Sequence, residues 1–192
     1  MATQQHPDVD RTYTIDEYMR LAESGERYEL VNGRLSPMAP TSWEHGDVGG
    51  LLTIYLGHYV LQHGLGRVYA AETAFVLNAE TRDVRAADVA FVAAARIPGV
   101  LDPGPLPFPP DLVVEVISPS DRLTEVRKKA RVYQRAGIPL VWVVNPRPRH
   151  RTVQVYHPAD LRPTTLGVDD LLDGEDIVPG FTLPIRTLFR MP

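Results

Sequence analysis

Three side chains in this 192-residue sequence stand where ordinary core building would not put them. Asp88 lies in Ala86-Ala87-Asp88-Val89-Ala90-Phe91-Val92, Glu115 lies in Leu112-Val113-Val114-Glu115-Val116-Ile117, and Lys129 follows in a basic run. A buried, unpaired carboxylate costs several kcal/mol, so each acid needs a partner, a raised pKa or a metal. Strand alternation groups Glu115 with Val113 and Ile117, and Asp88 with Ala90 and Val92, so both acids are expected to look inward. A core ion pair, or a place at a sheet edge reaching solvent, would explain either acid alone. Two acids and a lysine in one cleft suit phosphodiester hydrolysis. The carboxylates would hold a hard cation, Mg²⁺ or Mn²⁺, with the backbone carbonyl of Ile117 completing the coordination. The ion would polarise the phosphate and acidify a bound water, while the lysine orients that nucleophile or offsets developing charge.

The elements that must position these groups follow from periodicity. Leu112–Ile117 is nearly all apolar, as a central strand covered on both faces should be. A helix is expected after Asp121, running to about Ala136 with Ser120 as its cap, and Gly137 stops it before the strand Leu140–Val144. Strand, helix and strand over so short a span make a right-handed crossover with parallel strands. Leu123, Val126, Ala130 and Tyr133 mark the buried stripe of that helix. Lys129 falls roughly 80° from its centre and Lys128 roughly opposite. Lys129 sits roughly 12 Å back along the helix, and Glu115 roughly 7 to 10 Å from the end of its strand, so the two stand at a similar level. A lysine with a buried stem and a free amine is the alternative reading of Lys129.

Upstream, Thr14 and Glu17 form a capping box opening a short helix to about Glu23. Asn32-Gly33 is the preferred pair for a tight hairpin turn between Arg27–Val31 and Arg34–Met38. A long helix is expected over Trp43–Gln62, because Val48, Leu51, Leu52, Tyr55, Leu56, Tyr59 and Val60 recur at helical steps. Strands follow near Arg67–Ala71, Thr73–Leu77 and Val84–Val92, then a Pro-rich loop over 98–110. Beyond Thr152 come a strand and strand-like pieces near Ile177 and Thr182. Length makes one domain over 1–192 the default, with residues 1–11 as a loose tail.

Composition narrows the function classes. The chain has no cysteine, which excludes disulfides and thiolate chemistry, so any metal must sit on oxygen or imidazole. No apolar run is long enough to cross a bilayer and the start shows no export signal, so the expected setting is the cytoplasm, away from membranes. The net charge is -4, yet residues 122–151 carry nine Lys or Arg against the single acid Glu125. That patch, including Arg127, Lys128 and Arg131, is compatible with a phosphate-binding face; a solvated helix surface explains the charge equally well.

Two further residues are candidates. His45, at the start of the long helix, reads as a polar residue of the first turn. Glu29, in the first hairpin strand, is either a third acid near the metal or a salt-bridge partner. The remaining histidines have no metal-ligand spacing, and no glycine-rich loop for a nucleotide is present.

With these residues assembled, the chain resembles the Uma-type restriction endonuclease family, a branch of the PD-(D/E)XK nuclease superfamily. The similar segments are Tyr28–Gly33, Ala87–Val92, Asp111–Ser120, and Lys129–Tyr133 with Ala136-Gly137-Ile138 and Trp142-Val143-Val144. The resemblance implies an α+β or α/β restriction-endonuclease-like core: a mixed central β-sheet flanked by helices, with one parallel β-α-β crossover. It implies Asp88 and Glu115 as metal ligands, Lys129 as a lysine moved from strand to helix, Glu29 as an auxiliary acid, a substrate-facing position for His45, DNA as substrate and a homodimer. Two positions depart from the superfamily pattern: Ala87 replaces the proline before the first acid, and Ile117 stands where a lysine is usual. The function expected is a metal-dependent DNA endonuclease. The alternatives are a non-catalytic nucleic-acid or protein-binding module on the same fold, or a hydrolase of another phosphoester.

Overall fold

The structure is a computed structural model that describes residues 7–23, 25 and 27–189. Of the expected tail, residues 1–6 therefore lie outside the described residues. Helix α1 (Ile15–Glu23) opens on the reciprocal bonds of a capping box. Thr14 N donates to Glu17 Oε2 at 2.8 Å, and Glu17 N donates to Thr14 Oγ1 at 3.2 Å. Strands β1 (Tyr28–Val31) and β2 (Arg34–Pro37) form the hairpin, with Asn32 and Gly33 both at positive φ, as a tight turn of this type requires. Helix α2 (Trp43–Gln62) starts at Ser42, whose side chain accepts from the His45 amide. Val48, Leu52, Leu56 and Val60 are its buried stripe; Tyr55, expected on that stripe, faces solvent.

Next come β3 (Gly66–Ala70), β4 (Ala74–Asn78), β5 (Asp83–Ala86) and β6 (Val89–Ala93). The expected continuous strand Val84–Val92 is thus two strands, in different sheets. One sheet runs β2-β1-β5-β4. The other runs β10-β9-β8-β7-β6-β3, where β7 is Leu112–Val116, β8 Leu140–Asn145, β9 Thr152–Tyr156 and β10 Thr164–Leu166. The chain changes sheets at Ala87-Asp88, where the Asp88 amide donates to the Val114 carbonyl. This break corrects the alternation assigned to Asp88, because the residue stands between the two sheets rather than along one strand.

Helix α3 (Leu123–Arg135) joins β7 to β8, which pair in parallel with Glu115 opposite Val143. Arg122 is its N-cap residue and supplies no side-chain bond, so Ser120 is not the cap; Asp121 accepts instead from the Ser118 amide. Strands β11 (Leu171–Asp173) and β12 (Thr182–Pro184) form a small hairpin sheet. Ile177 lies outside both, in a turn where its amide and that of Val178 donate to the Gly174 carbonyl.

The six-stranded sheet is the middle layer. Leu112, Val114 and Val116 turn toward the α2 stripe, packing with Val89, Phe91 and Trp142. Val113 and Ile117 turn the other way, toward Ala130 and Tyr133 of α3. Glu115 shares their parity and so points at α3. Burying these side chains at about 1.5–3 kcal/mol each supplies the main drive for this layering. A second, smaller core of Tyr13, Tyr18, Leu30, Leu35 and Val84 joins α1 to the four-stranded sheet.

Candidate active site

The seam between the two sheets gathers one group from each neighbouring element. Glu29 comes from β1, Asp88 from the β5–β6 break, Glu115 from β7, Lys129 from α3 and His45 from the first turn of α2. Lys129 Nζ stands 2.9 and 3.0 Å from the two oxygens of Glu115 and 3.0 Å from Glu29 Oε1. Its side chain is 25% exposed, against 11% for Glu115, so the lysine reaches in from the rim with its stem along the core. Asp88 Oδ2 accepts from the Val116 amide at 2.7 Å and lies 3.0 Å from His45 Nε2. Its Oδ1 has no hydrogen-bond partner among the described residues. At 19% exposure this carboxylate borders a cavity, in contrast to Glu115.

Two groups in the cluster were not singled out by the sequence. Tyr133 Oη donates to Glu115 Oε1 at 2.6 Å, and Lys129 Nζ lies 5.9 Å from the Tyr133 ring centroid. Tyr133 follows Lys129 by four helical positions, a spacing that places the two on neighbouring turns of one face. Arg85 donates to Asp83 Oδ1 at 2.7 Å and to Glu29 Oε2 at 3.2 Å. Its signal was the alternation Asp83-Arg85 in a segment otherwise suited to burial. Glu29 also accepts from the Ala86 amide at 3.3 Å, so this acid is held by two cations and a backbone donor.

Burial and mutual charge shift the titrations. Burial is the largest influence on Glu115 and, with the fields of Asp88 and Glu29, outweighs Lys129 and the Tyr133 bond, raising its pKa from 4.5 to about 7. For Lys129 burial acts downward, but Glu115, Tyr133 and Glu29 together raise its pKa well above the usual value. Burial likewise opposes the charged form of His45, and Asp88, Glu115 and Asp121 overcome it, so its pKa is raised. Tyr133 is raised well above its usual value by burial first and then by Glu115. Lys129 is therefore a fixed cation rather than a base.

Among the described residues no three His, Cys, Asp or Glu side chains stand together at metal-binding geometry. The donor set nonetheless suits a hard cation. Asp88 lies close enough to Glu115 for its field to act there, Asp88 keeps one oxygen unbonded, and Mg²⁺ commonly takes only one or two carboxylates and keeps several waters. Ile117 extends the β7–β8 pairing, its amide donating to the Val144 carbonyl at 2.8 Å.

Of the other sequence candidates, Arg127 and Lys128 are exposed on α3, and Lys128 pairs with Glu125 at 2.9 Å. Arg131 is tied down: it donates to Gln134 Oε1 at 3.0 Å, to the Asp160 carbonyl at 2.7 Å and to the Leu161 carbonyl. A cavity of about 690 Å³ is lined by Arg85, Arg127, Lys128, Lys129, Arg131 and Arg135 against the single acid Glu125, with Asn32 and Ser36 from the first hairpin.

A mixed six-stranded sheet with one parallel crossover, flanked by helices, is a restriction-endonuclease-like fold. Comparison with known proteins agrees. The profile of Uma2, described as "Putative restriction endonuclease", matches residues 15–186, and the chain belongs to that family. A crystal structure from Anabaena variabilis ATCC 29413, described as "a putative nuclease belonging to DUF820", superposes with a TM-score of 0.77 at 21% identity. That alignment covers 92% of this chain and 97% of the other, and it shows the fold. No curated protein gives a significant match. Among the described residues no helix is long and apolar enough to cross a membrane.

Proposed function

We propose that this chain is a divalent-metal-dependent DNA endonuclease with Asp88, Glu115 and Lys129 at its centre. The observation that carries the reading is the convergence of these three groups, from three separate elements, on one seam, with Lys129 Nζ 2.9 Å from Glu115. Asp88, Glu115 and the Ile117 carbonyl would hold Mg²⁺ or Mn²⁺, with Glu29 as auxiliary acid. A bound ion supplies Lewis-acid polarisation of the phosphodiester and a water acidified toward neutrality. The chain's own residues do the rest. Lys129, a permanent cation, faces the charge that grows on the phosphoryl oxygens. Tyr133 holds one oxygen of Glu115, and His45 with the Val116 amide fixes Asp88 so that Oδ1 remains available. Exposed Arg127 and Lys128, and the tethered Arg131, give the cluster a cationic flank for phosphates.

One observation favours the second reading, a non-catalytic binding module: every acid of the cluster already has a cation partner within the chain. Nicking of supercoiled plasmid with and without chelator separates the two. The nuclease reading requires cleavage that depends on Mg²⁺ or Mn²⁺ and disappears in Asp88→Ala; a module binds DNA equally well with chelator and cleaves nothing. A cytoplasmic setting and a homodimeric assembly belong to the same proposal, the latter checked by light scattering.

A further inference from the structure

Two cavities of contrasting chemistry meet the seam, one at Lys129 and one at Asp88. The first, of about 690 Å³, carries six cations and one acid. The second, of about 540 Å³, has His45 and Asp88 in its lining and is otherwise mostly neutral. Met38, Pro40, Ile54 and Ala70 supply apolar wall, and the one other ion pair in the lining, Arg27 with Glu72, is closed on itself. A polyanion gains nothing from the second cavity, whereas a flat uncharged group does. Its volume lies within the range of about 300–1,000 Å³ that holds small molecules, and a duplex is too thick to enter such a space.

We propose that a nucleic-acid strand crosses the seam with its phosphates along the cationic cavity and one unpaired nucleoside in the cavity beside Asp88, so that the substrate is single-stranded DNA. This rests on reading the seam as a phosphodiester-cleaving centre. It adds the form of the strand, which that reading leaves open. A pocket that must receive a base cannot reach one held inside a duplex, and a single strand offers its bases freely. The wall formed by α2 agrees with this occupant. Gly46, Gly49 and Gly50 line the cavity, and glycine is among the costliest residues in a helix interior. A Cβ added at any of the three meets nothing within 4 Å, so packing inside the chain does not require them. Without side chains, the helix backbone forms a flat surface against which a base and its sugar can lie.

The test is binding of a fluorescein-labelled 20-nucleotide single strand and of the matching duplex by the full chain, in chelator at fixed salt, followed by anisotropy. The single strand is expected to bind more tightly than the duplex. Gly49→Leu, which fills the cavity from the helix side, is expected to weaken single-strand binding by about tenfold or more, the scale of a lost base contact, while leaving duplex binding unchanged. Arg127→Ala with Arg135→Ala should weaken both and flatten the salt dependence. Gly49→Leu should melt no lower than wild type, because leucine is the better helix former. Ala71→Trp, which fills the cavity from the other wall, must reproduce its binding defect. Duplex bound as tightly as single strand, or filled variants that bind the single strand normally, overturns this inference alone. A wild type that binds neither form, in chelator or with Mg²⁺, overturns the nuclease reading and this inference with it.

Discussion

Glu115 sets up a stability profile with an unusual sign for a carboxylate. Its pKa is raised from 4.5 to about 7 in the native state, chiefly by burial. Below pH 4.5 the folded and unfolded chains both hold this proton. Between 4.5 and 7 the unfolded chain releases it first, so the native state binds more protons and stability falls as pH rises. Above 7 both forms are ionised and the slope ends. At about 1.4 kcal/mol per pKa unit, the window is worth on the order of 3 kcal/mol. The buried position of Glu115 leaves little solvent to screen it. The perturbation is Glu115→Gln, which keeps the shape and an acceptor for Tyr133 but cannot ionise. Urea unfolding of the metal-free wild type and variant at pH 5, 6, 7 and 8 gives the difference directly. Raised pKa values at His45 and His157 also make stability fall with rising pH, and taking the difference between the two proteins largely removes them. The variant should gain on the wild type by up to about 3 kcal/mol from pH 5 to pH 8. Parallel profiles, or a wild type that gains on the variant as pH rises, would refute burial as the dominant influence on this acid.

Three other outcomes follow from named contacts. Tyr133→Phe removes the 2.6 Å bond to Glu115. It should cost about 1–3 kcal/mol in urea unfolding at pH 8, where the acceptor is ionised. Arg131 holds the carbonyls of Asp160 and Leu161, so Arg131→Ala frees both. That change should destabilise the chain by about 1–3 kcal/mol, whereas Arg127→Ala should leave stability within about 0.5 kcal/mol of wild type, both read by thermal unfolding. Gly57 sits in the middle of α2, and a Cβ added there meets only Val68, at an ordinary 3.9 Å. Gly57→Ala should therefore raise stability by about 0.5–1 kcal/mol in thermal unfolding.

Local chemistry makes much of this fold legible in the sequence. The capping box at Thr14, the Asn32-Gly33 turn, the limits of α2 and the parallel crossover all rest on short-range rules, and each appears as expected. The errors come from long-range pairing and from competing side chains. Ala86-Ala87-Asp88-Val89 shows no breaking residue, so nothing local announces that β5 joins one sheet and β6 another. Ser120 offers a good capping side chain, yet its neighbour Asp121 takes the Ser118 amide in a turn, and the helix begins only beyond Arg122. Helical phase placed Lys129 at the margin of the core. It could not supply Glu29, because which strand of the distant hairpin approaches α3 is decided by sheet packing.

The break at Asp88 also bears on why the cluster forms at this seam. Inside one continuous sheet, an acid beside Val114 would be sealed between two layers and driven to protonate, as Glu115 nearly is. At the junction the chain turns between sheets, and the Asp88 carboxylate gains the Val116 amide, His45 and a wetted edge. The two acids thus receive different surroundings: Glu115 is closed in by Lys129 and Tyr133, and Asp88 lies at a cavity. Lys129, entering from the rim of α3, bonds to Glu115 beside the cationic cavity, while Asp88 bonds to His45 beside the mostly neutral one. The seam therefore separates a fixed cation from a free carboxylate oxygen, a division that no single strand or helix of this chain could hold by itself.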